Sequence, residues 1–362
     1  MTANRAIKQG LFNDAAATEN FNKALQTPCM RMKAVVTGGA GFIGSHMAEL
    51  LLEKGYEVVA IDDMSNGQQA NVDMFKDNPN YTFHKIDLSK DFDDSMFKDA
   101  AYVFHFAALA DIVPSVEQPL KYHNANVTAT IKVLEACRRQ NIKKLVYTAS
   151  STCYGIPDSY PTPETAEIKP QYPYALTKYL AELYVMFWHR LYKLPVISLR
   201  YFNVYGTRAR TNDNYGAVFK VFLSQKLHGL PLTIVGDGTQ TRDFTYVKDA
   251  VEAALTAAES DVVGEIINIG TGNPQSVNYL AKLIGGKTIS IPKRPGEPDS
   301  THADITKARK LLKWAPKTTF EEGVRIMLED IDYWKTSPAW DKESIAKATE
   351  KWFKYLADKK VL

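Results

Sequence analysis

The order of apolar and polar residues along the chain predicts short strands separated by helices. A strand at 33–37 is followed by apolar positions at helical spacing from Phe42 onward. Residues 101–106 are almost wholly apolar without alternation, which is typical of a strand buried on both faces of a parallel sheet. Further strands are predicted at 57–62, 81–87, 144–149 and 196–200, and long helices at 116–140 and 174–192. This alternation predicts an α/β fold, a Rossmann-type doubly wound parallel sheet.

The pattern changes after residue 205, where the predicted elements become shorter. Helices are expected at 217–228, 277–284 and 304–313, and strands at 232–235 and 264–270. We interpret residues 205–335 as a smaller C-terminal α/β substrate lobe over the carboxyl edge of the sheet, where ligands bind in such folds. Residues 336–362 form a C-terminal helical extension, whose helix at 341–358 is expected to pack as a cap. Residues 1–31 are interpreted as a mobile N-terminal extension.

A glycine-rich turn joins the first strand to the first helix. The spacing of Gly38, Gly41 and Gly44 lets the backbone turn tightly and approach a pyrophosphate without an intervening Cβ. The N–H groups and positive dipole end of the following helix are suited to phosphate. Asp62 ends the second strand, near the distance at which an acid binds the adenosine ribose. A glycine triplet alone could be a structural turn, but the combination predicts a dinucleotide-binding domain at 32–204, completed by segments from the C-terminal half.

The acidic pair Asp62 and Asp63 favours NAD over NADP as the cofactor. A carboxylate accepts hydrogen bonds from a ribose diol but repels a 2′-phosphate, and no Arg or Lys follows for more than ten residues. We expect further cofactor contacts from residues near the strand ends, the helix start and the long helix at 116–140. These residues are Phe42, Ile43, Asp87, Leu88, Ala107, Ala108 and Asn126.

Composition excludes several classes of function. The chain has 44 basic and 41 acidic residues, a net charge of +3, which gives no indication of nucleic-acid binding. The three cysteines, Cys29, Cys137 and Cys153, have no CxxC spacing, and the histidines show no metal-ligand spacing with them, so no metal site is predicted. A sparse, odd cysteine count suits a reducing cytoplasm. No apolar run reaches the roughly 20 residues that span a bilayer.

The candidate chemistry lies in two short motifs. Tyr174 and Lys178 are four apart at the start of a predicted helix, which places the phenol and the ammonium on one face. Ionising a phenol near pH 7 requires a pKa shift of roughly three units, about 4 kcal/mol, which a lysine and an oxidised nicotinamide could supply together. Ser150, Ser151 and Thr152 follow a strand and could face the same cleft. On its own, a Tyr and Lys pair at this spacing is more often an ordinary surface pair, and a cluster of hydroxyl residues more often simply ends a strand.

Taken together, the motifs resemble those of the extended short-chain dehydrogenase/reductase superfamily, and within it the nucleotide-sugar 4-epimerases. The resemblance covers roughly residues 32–330. The matching segments are Thr37–Gly44, His105–Ala108, Ser150–Gly155, Tyr174–Lys178, Arg200–Gly206, Gly236–Phe244 and Arg294–Glu297.

The resemblance implies a role for each catalytic candidate. Tyr174 is the base that takes the proton from the sugar 4-hydroxyl, Lys178 binds the nicotinamide ribose and lowers the phenol pKa, and Ser150 relays the proton, with Thr152 beside it. C4 is oxidised by NAD, and re-reduction on the other face inverts it. The implied substrate contacts are Ser151, Asn203, Arg242, Arg294, Glu297 and Thr301. A UDP-sugar substrate and a homodimer formed through the helices at 116–140 and 174–192 follow from the same resemblance.

One position separates the branches of this superfamily. Nucleotide-sugar 4,6-dehydratases resemble the chain but carry a glutamate in the serine cluster, where this sequence has Ser151 and Thr152. A threonine hydroxyl cannot remove the C5 proton at neutral pH, so the sequence favours an epimerase. The alternatives are a 4,6-dehydratase, a related lyase or oxidoreductase, and a non-catalytic binder. The small Thr301 suggests room for an N-acetylhexosamine or a uronic acid.

Overall fold

The computed structural model describes residues 31–211 and 216–356, and its fold is the compact unit that begins at Lys33. The predicted N-terminal extension lies almost wholly outside the described residues. The strands are β1 Lys33–Thr37, β2 Glu57–Asp62, β3 Tyr81–Lys85, β4 Ala100–His105, β5 Lys144–Ser150, β6 Val196–Tyr201, β7 Val204–Tyr205, β8 Leu232–Val235, β9 Thr241–Arg242, β10 Thr245–Tyr246, β11 Glu265–Ile269, β12 Gln275–Ser276 and β13 Thr288–Ile291.

Most helices lie between these strands, and the last two follow β13. The helices are α1 Phe42–Glu53, α2 Gln69–Asp73, α3 Ile112–Glu117, α4 Pro119–His123, α5 Ala129–Arg139, α6 Pro173–Tyr192, α7 Val218–Leu227, α8 Val247–Glu259, α9 Val277–Ile284, α10 Phe320–Glu329 and α11 Lys342–Leu356. Short 3-10 turns cover Asp94–Phe97, Ser151–Tyr154 and Ile331–Thr336, and π-helical turns cover Asn124–Thr128 and Ala308–Leu312.

The central sheet of the described chain has seven strands in the order β11-β6-β5-β4-β1-β2-β3, and every pairing is parallel. Its two faces are covered by separate hydrophobic clusters. Val36 packs with Met47 of α1 and Ala254 of α8, whereas its neighbour Val35 packs with Val133 of α5 and Ala181 of α6. Because successive strand residues enter different cores, these strands are apolar throughout. The Rossmann-type doubly wound sheet is confirmed.

Several predicted elements differ in their limits. The helix expected at 116–140 is interrupted at Gln118, whose φ and ψ of −130° and 54° are not helical, because the following Pro119 disfavours the α conformation of the residue before it. Leu120, which follows this proline, is 71% exposed. The third strand ends at Lys85 rather than at 87, and the predicted helix at 304–313 is reduced mainly to the π-helical turn.

The second half of the chain has its own hydrophobic cluster, which includes Phe222 of α7, Leu280 of α9 and Trp334. The helices α7, α9 and α11 confirm three expected helices of this region. Helices α8 and α10 and strand β13 were not predicted. Strand β11 joins the central sheet beside β6, so the C-terminal half contributes to the sheet, while the proposed domain boundaries stay a prediction.

A buried ion pair fixes helix α6 against the sheet. Nε of Arg200 in β6 donates to Oε2 of Glu182 at 3.0 Å, and the Ser198 hydroxyl donates to the same oxygen at 2.9 Å. Arg200 also donates to the Tyr154 phenol at 2.9 Å. Both charged side chains are 3% exposed or less. Each charge is thereby compensated inside the protein.

We predict that Glu182→Gln destabilises the fold by about 3–5 kcal/mol, because it leaves the Arg200 guanidinium buried without a countercharge. Chemical unfolding of the two proteins measures the difference. The control is Glu322→Gln, which removes one of the two acidic partners of Arg325 on the exposed face of α10 and should change stability little. Equal effects of the two substitutions would contradict the assigned role of the buried pair.

Candidate active site

A cavity of about 650 Å³ lies at the carboxyl edge of the sheet and extends toward the C-terminal half. It brings together most of the predicted site residues. Those lining it are Gly38, Gly41, Phe42, Ile43, Gly44, Asp62, Asp63, Asp87, Leu88, Ala107, Ala108, Thr152, Tyr174, Asn203, Arg242, Arg294 and Glu297. The other predicted residues, Asn126, Ser150, Ser151, Lys178 and Thr301, lie outside its lining.

The glycine turn forms a backbone cradle at one end of the cavity. Gly38 has a φ of +71°, and a Cβ on Gly44 would lie 2.0 Å from the Gly38 carbonyl oxygen, so a side chain at either position is disfavoured. Helix α1 begins directly after Gly41 without a side-chain cap. Its first N–H groups are therefore available to a phosphate. This geometry fits the pyrophosphate of a dinucleotide.

Asp62 lies beside this cradle at the end of β2. Its Oδ2 accepts a hydrogen bond from the Ala40 N–H at 3.1 Å, and its Oδ1 accepts one from the Met64 N–H at 2.8 Å. These two contacts leave lone pairs on both oxygens for a ribose diol. Burial raises the pKa of Asp62, while the hydrogen bonds oppose the rise. The carboxylate is therefore oriented for the role that the sequence predicts.

The segment after β4 is positioned by buried polar groups. Oδ1 of Asn126 accepts from the Leu109 N–H at 2.8 Å, and its Nδ2 donates to the Leu109 carbonyl at 3.0 Å and to the Thr177 hydroxyl at 3.0 Å. Asn126 thus holds a wall of the cavity instead of lining it. His105 contacts the hydroxyls of Thr37 and Thr130 at 2.6 Å and 2.9 Å, and burial lowers its pKa to about 3, so the ring is neutral.

The hydroxyl groups of the catalytic candidates meet at the end of β5. Ser150 is the last residue of the strand, and its Oγ lies 2.9 Å from Oγ1 of Thr152. A side-chain hydrogen bond also joins Ser150 to Tyr174, one residue into α6. Thr152 and Tyr174 line the cavity, and Ser150 lies beside them at the end of the strand. The arrangement can pass a proton between a bound ligand and the phenol.

Lys178 lies behind these hydroxyls, one helical turn from Tyr174. Its side chain is 4% exposed, and Nζ is 4.5 Å from the centre of the Tyr147 ring. Burial lowers the pKa of Lys178 to about 7, although the nearby Glu182 opposes the change. Burial also raises the pKa of Tyr174, and the hydrogen bond with Ser150 opposes that rise. The depression of the phenol pKa that the sequence analysis assigns to Lys178 and the oxidised nicotinamide together stays a prediction.

The predicted substrate residues form a connected group on the opposite side of the cavity. Nη2 of Arg242 donates to Oε1 of Glu297 at 2.8 Å, and Nη1 of Arg294 is 3.7 Å from Oε2. That Oε2 atom is buried and accepts no hydrogen bond from the described residues. Thr301 donates to Oδ1 of Asn203 at 2.7 Å, so it acts on the cavity through Asn203. The two guanidinium groups suit a diphosphate, since arginine binds phosphate oxygens in pairs.

The structure adds cavity residues that the sequence reasoning missed. Asp111 follows β4 and pairs with Nη2 of Arg210 at 2.6 Å, and Arg210 also donates to Asn66 after β2. Trp334 and Trp352 line the cavity from the C-terminal half. Isolated acidic and basic residues in loops give no local signal of their pairing. The predicted helix at 341–358, which contains Trp352, was expected only to pack as a cap.

The described ranges contain neither a membrane-spanning helix nor a cluster of metal ligands. No helix there is long and apolar enough to cross a membrane. No group of three or more His, Cys, Asp or Glu side chains within residues 31–211 and 216–356 is arranged to hold a metal ion.

The fold and the cavity define the class of protein: a Rossmann-type dinucleotide-binding enzyme with a Tyr-x-x-x-Lys helix. A family model described as GDP-mannose 4,6 dehydratase matches residues 35–327. The chain belongs to this family, and its membership of the extended short-chain dehydrogenase/reductase superfamily is confirmed.

Several of the similar proteins are named sugar-nucleotide epimerases, and others are named decarboxylases of UDP-sugar acids. A putative UDP-glucose 4-epimerase from Methanocaldococcus jannaschii is 39% identical over 80% of this chain and 95% of its own length. A solved UDP-N-acetylglucosamine 4-epimerase from Methanobrevibacter ruminantium M1, in complex with UDP-N-acetylmuramic acid, is 36% identical with a TM-score of 0.78, covering 83% and 99% of the two chains. A UDP-glucuronic acid 4-epimerase from Bacillus cereus, solved with UDP-glucuronic acid and NAD, is 32% identical with the same TM-score and coverage.

Proposed function

We propose that the protein is an NAD-dependent nucleotide-sugar 4-epimerase that inverts C4 of a UDP-hexose. The observation that carries this proposal is the meeting of Ser150, Thr152 and Tyr174 in one cavity with the dinucleotide cradle and the Arg242–Glu297 group. When bound, NAD supplies the acceptor for the C4 hydride and the donor that returns it. The relatives with epimerase names support the assignment.

The residues of the chain bind the sugar nucleotide and move its proton. Arg242 and Arg294 hold the diphosphate, and the free oxygen of Glu297 accepts a hydrogen bond from the nucleoside ribose. The Tyr174 oxygen takes the proton of the sugar 4-hydroxyl as C4 is oxidised, and returns it after the 4-keto sugar has turned over. Ser150 donates to the same phenol oxygen and shares the proton. Lys178 lies behind them as the nearest cation of α6.

The runner-up is a 4,6-dehydratase, which the description of the family model favours. That reaction needs a carboxylate to remove the proton from the sugar C5. The 3-10 turn Ser151–Tyr154 carries hydroxyl, thiol and phenol groups but no carboxylate, and a hydroxyl is too weak a base at neutral pH. We therefore infer that the reaction stops at oxidation and re-reduction of C4.

We also propose that the protein is a cytoplasmic homodimer. Four apolar side chains on one face of α6 are 42–53% exposed: Leu176, Leu183, Phe187 and Leu191. They recur at intervals of seven and four residues, as in a helix that packs against another helix. A second copy of α6, together with the exposed Leu120 on α4, is the proposed occupant of this face.

We predict that Tyr174→Phe lowers epimerase turnover by about 10²–10⁴-fold, the range for loss of a general base. The NAD content of the purified variant should equal that of the wild type, because the cradle is unchanged. The assay incubates each protein with UDP-glucose, UDP-N-acetylglucosamine or UDP-glucuronate without added NAD and separates the C4 epimers. A 4-keto-6-deoxy product from the wild type would contradict the epimerase assignment.

We predict that Thr301→Tyr abolishes turnover of N-acetylhexosamine nucleotides and spares plain hexoses. The larger side chain would displace Asn203, to which Thr301 donates at 2.7 Å, and would narrow the sugar pocket. Thr301→Val is the matched control, since it removes the hydroxyl without adding volume. Product ratios for the two sugar types measure the effect, and equal losses for both sugars with Thr301→Tyr would reject the proposed size limit.

A further inference from the structure

The C-terminal helix α11 lies beyond residue 327, where the match to the family model ends. It is nevertheless built into the compact unit. Ile345, Thr349, Trp352 and Leu356 are all 6% exposed or less, and their spacing places them on one helical face. Lys351 reaches across to α3 and pairs with Oε1 of Glu117 at 2.9 Å. The helix is therefore held against a segment that borders the cavity.

Trp352 is the residue through which this helix reaches the cavity. The side chain lines it together with Arg242, Arg294 and Glu297. The indole Nε1–H donates to the Pro295 carbonyl oxygen at 2.7 Å, which fixes the ring against the segment that carries Arg294. A buried tryptophan whose N–H is satisfied presents a rigid apolar surface.

The ring also lies between the arginine group and the catalytic phenol. The guanidinium carbon of Arg294 is 5.7 Å from the indole centre, a distance typical of a cation–π contact. On the other side, the Tyr172 ring centre lies 6.4 Å from those of both Trp352 and Tyr174. Trp352 thus stands one aromatic ring away from the group that takes the sugar proton.

We propose that Trp352 is a binding residue for the nucleoside diphosphate part of the substrate, supplied by a helix outside the segment that the family model matches. Its indole forms a wall of that subsite and keeps the Arg294 guanidinium over the ring, with the N–H donors of Arg294 directed at a phosphate. This inference rests on the proposed function, because it assigns the Arg242, Arg294 and Glu297 group to a nucleotide sugar.

The test measures UDP binding to the NAD-loaded full chain by calorimetry, together with steady-state epimerase kinetics. Trp352→Ala should weaken UDP binding about tenfold, the size expected for loss of an aromatic wall and a cation–π contact. It should raise KM for the nucleotide sugar with little change in kcat, and leave the NAD content unaltered. Trp352→Phe, which keeps an aromatic face, should recover most of the affinity.

The matched control is Tyr355→Ala, which removes an aromatic ring from the exposed side of the same helix. If Trp352→Ala binds UDP as tightly as this control, or loses NAD and UDP together, the inference is overturned. If Trp352→Ala fails to fold, UDP binding by Trp352→Leu is compared with UDP binding by Trp352→Phe. We expect the leucine variant to bind UDP more weakly, and equal binding by the two variants would contradict the inference. A wild type that neither binds UDP nor epimerises any sugar would instead contradict the proposed function.

Discussion

The site depends on ionisable groups that one helix places inside the protein. Tyr174, Lys178 and Glu182 follow one another at intervals of four along α6, so all three lie on its inward face. Glu182 is compensated by Arg200 in the neighbouring strand, and this pair holds the helix in register with the sheet. Burial shifts the pKa of both Lys178 and Tyr174 toward the neutral form, although the charge of Glu182 opposes the shift at Lys178. The catalytic end of α6 is thus held in an environment that disfavours charge.

The two ends of the cavity recognise their ligands by different means. The cofactor end uses backbone geometry: a Cβ on Gly44 would meet the Gly38 carbonyl, and Asp62 is oriented by two main-chain N–H groups. The substrate end uses side chains, in which Arg242 is paired with Glu297. Backbone recognition needs a short continuous motif, whereas the substrate end assembles residues from distant segments. This difference explains how a common fold can accept different sugar nucleotides.

The same difference decides what the sequence could predict. The sheet strands, the glycine turn and helix α6 carry local patterns, and the structure has them where the sequence predicts. The helix predicted at 116–140 is interrupted at Gln118 because Pro119 follows it, and the periodic pattern does not register a single proline of this kind. The pairing of Asp111 with Arg210 and the approach of Trp352 to the cavity depend on tertiary contacts. Tertiary contacts of that kind leave no periodic pattern in the sequence from which they could be predicted.

The central claim is that the positive charge of oxidised NAD lowers the pKa of the buried Tyr174 phenol, so that the phenol can act as the base. The most direct measurement is the pKa of the Tyr174 phenol. It is obtained from the difference between the ultraviolet titration curves of the wild type and of Tyr174→Phe, recorded with and without NAD. The account predicts a pKa above the ordinary value of about 10 without NAD and a clear fall when oxidised NAD is bound. A phenol pKa that NAD leaves unchanged or raises would contradict it.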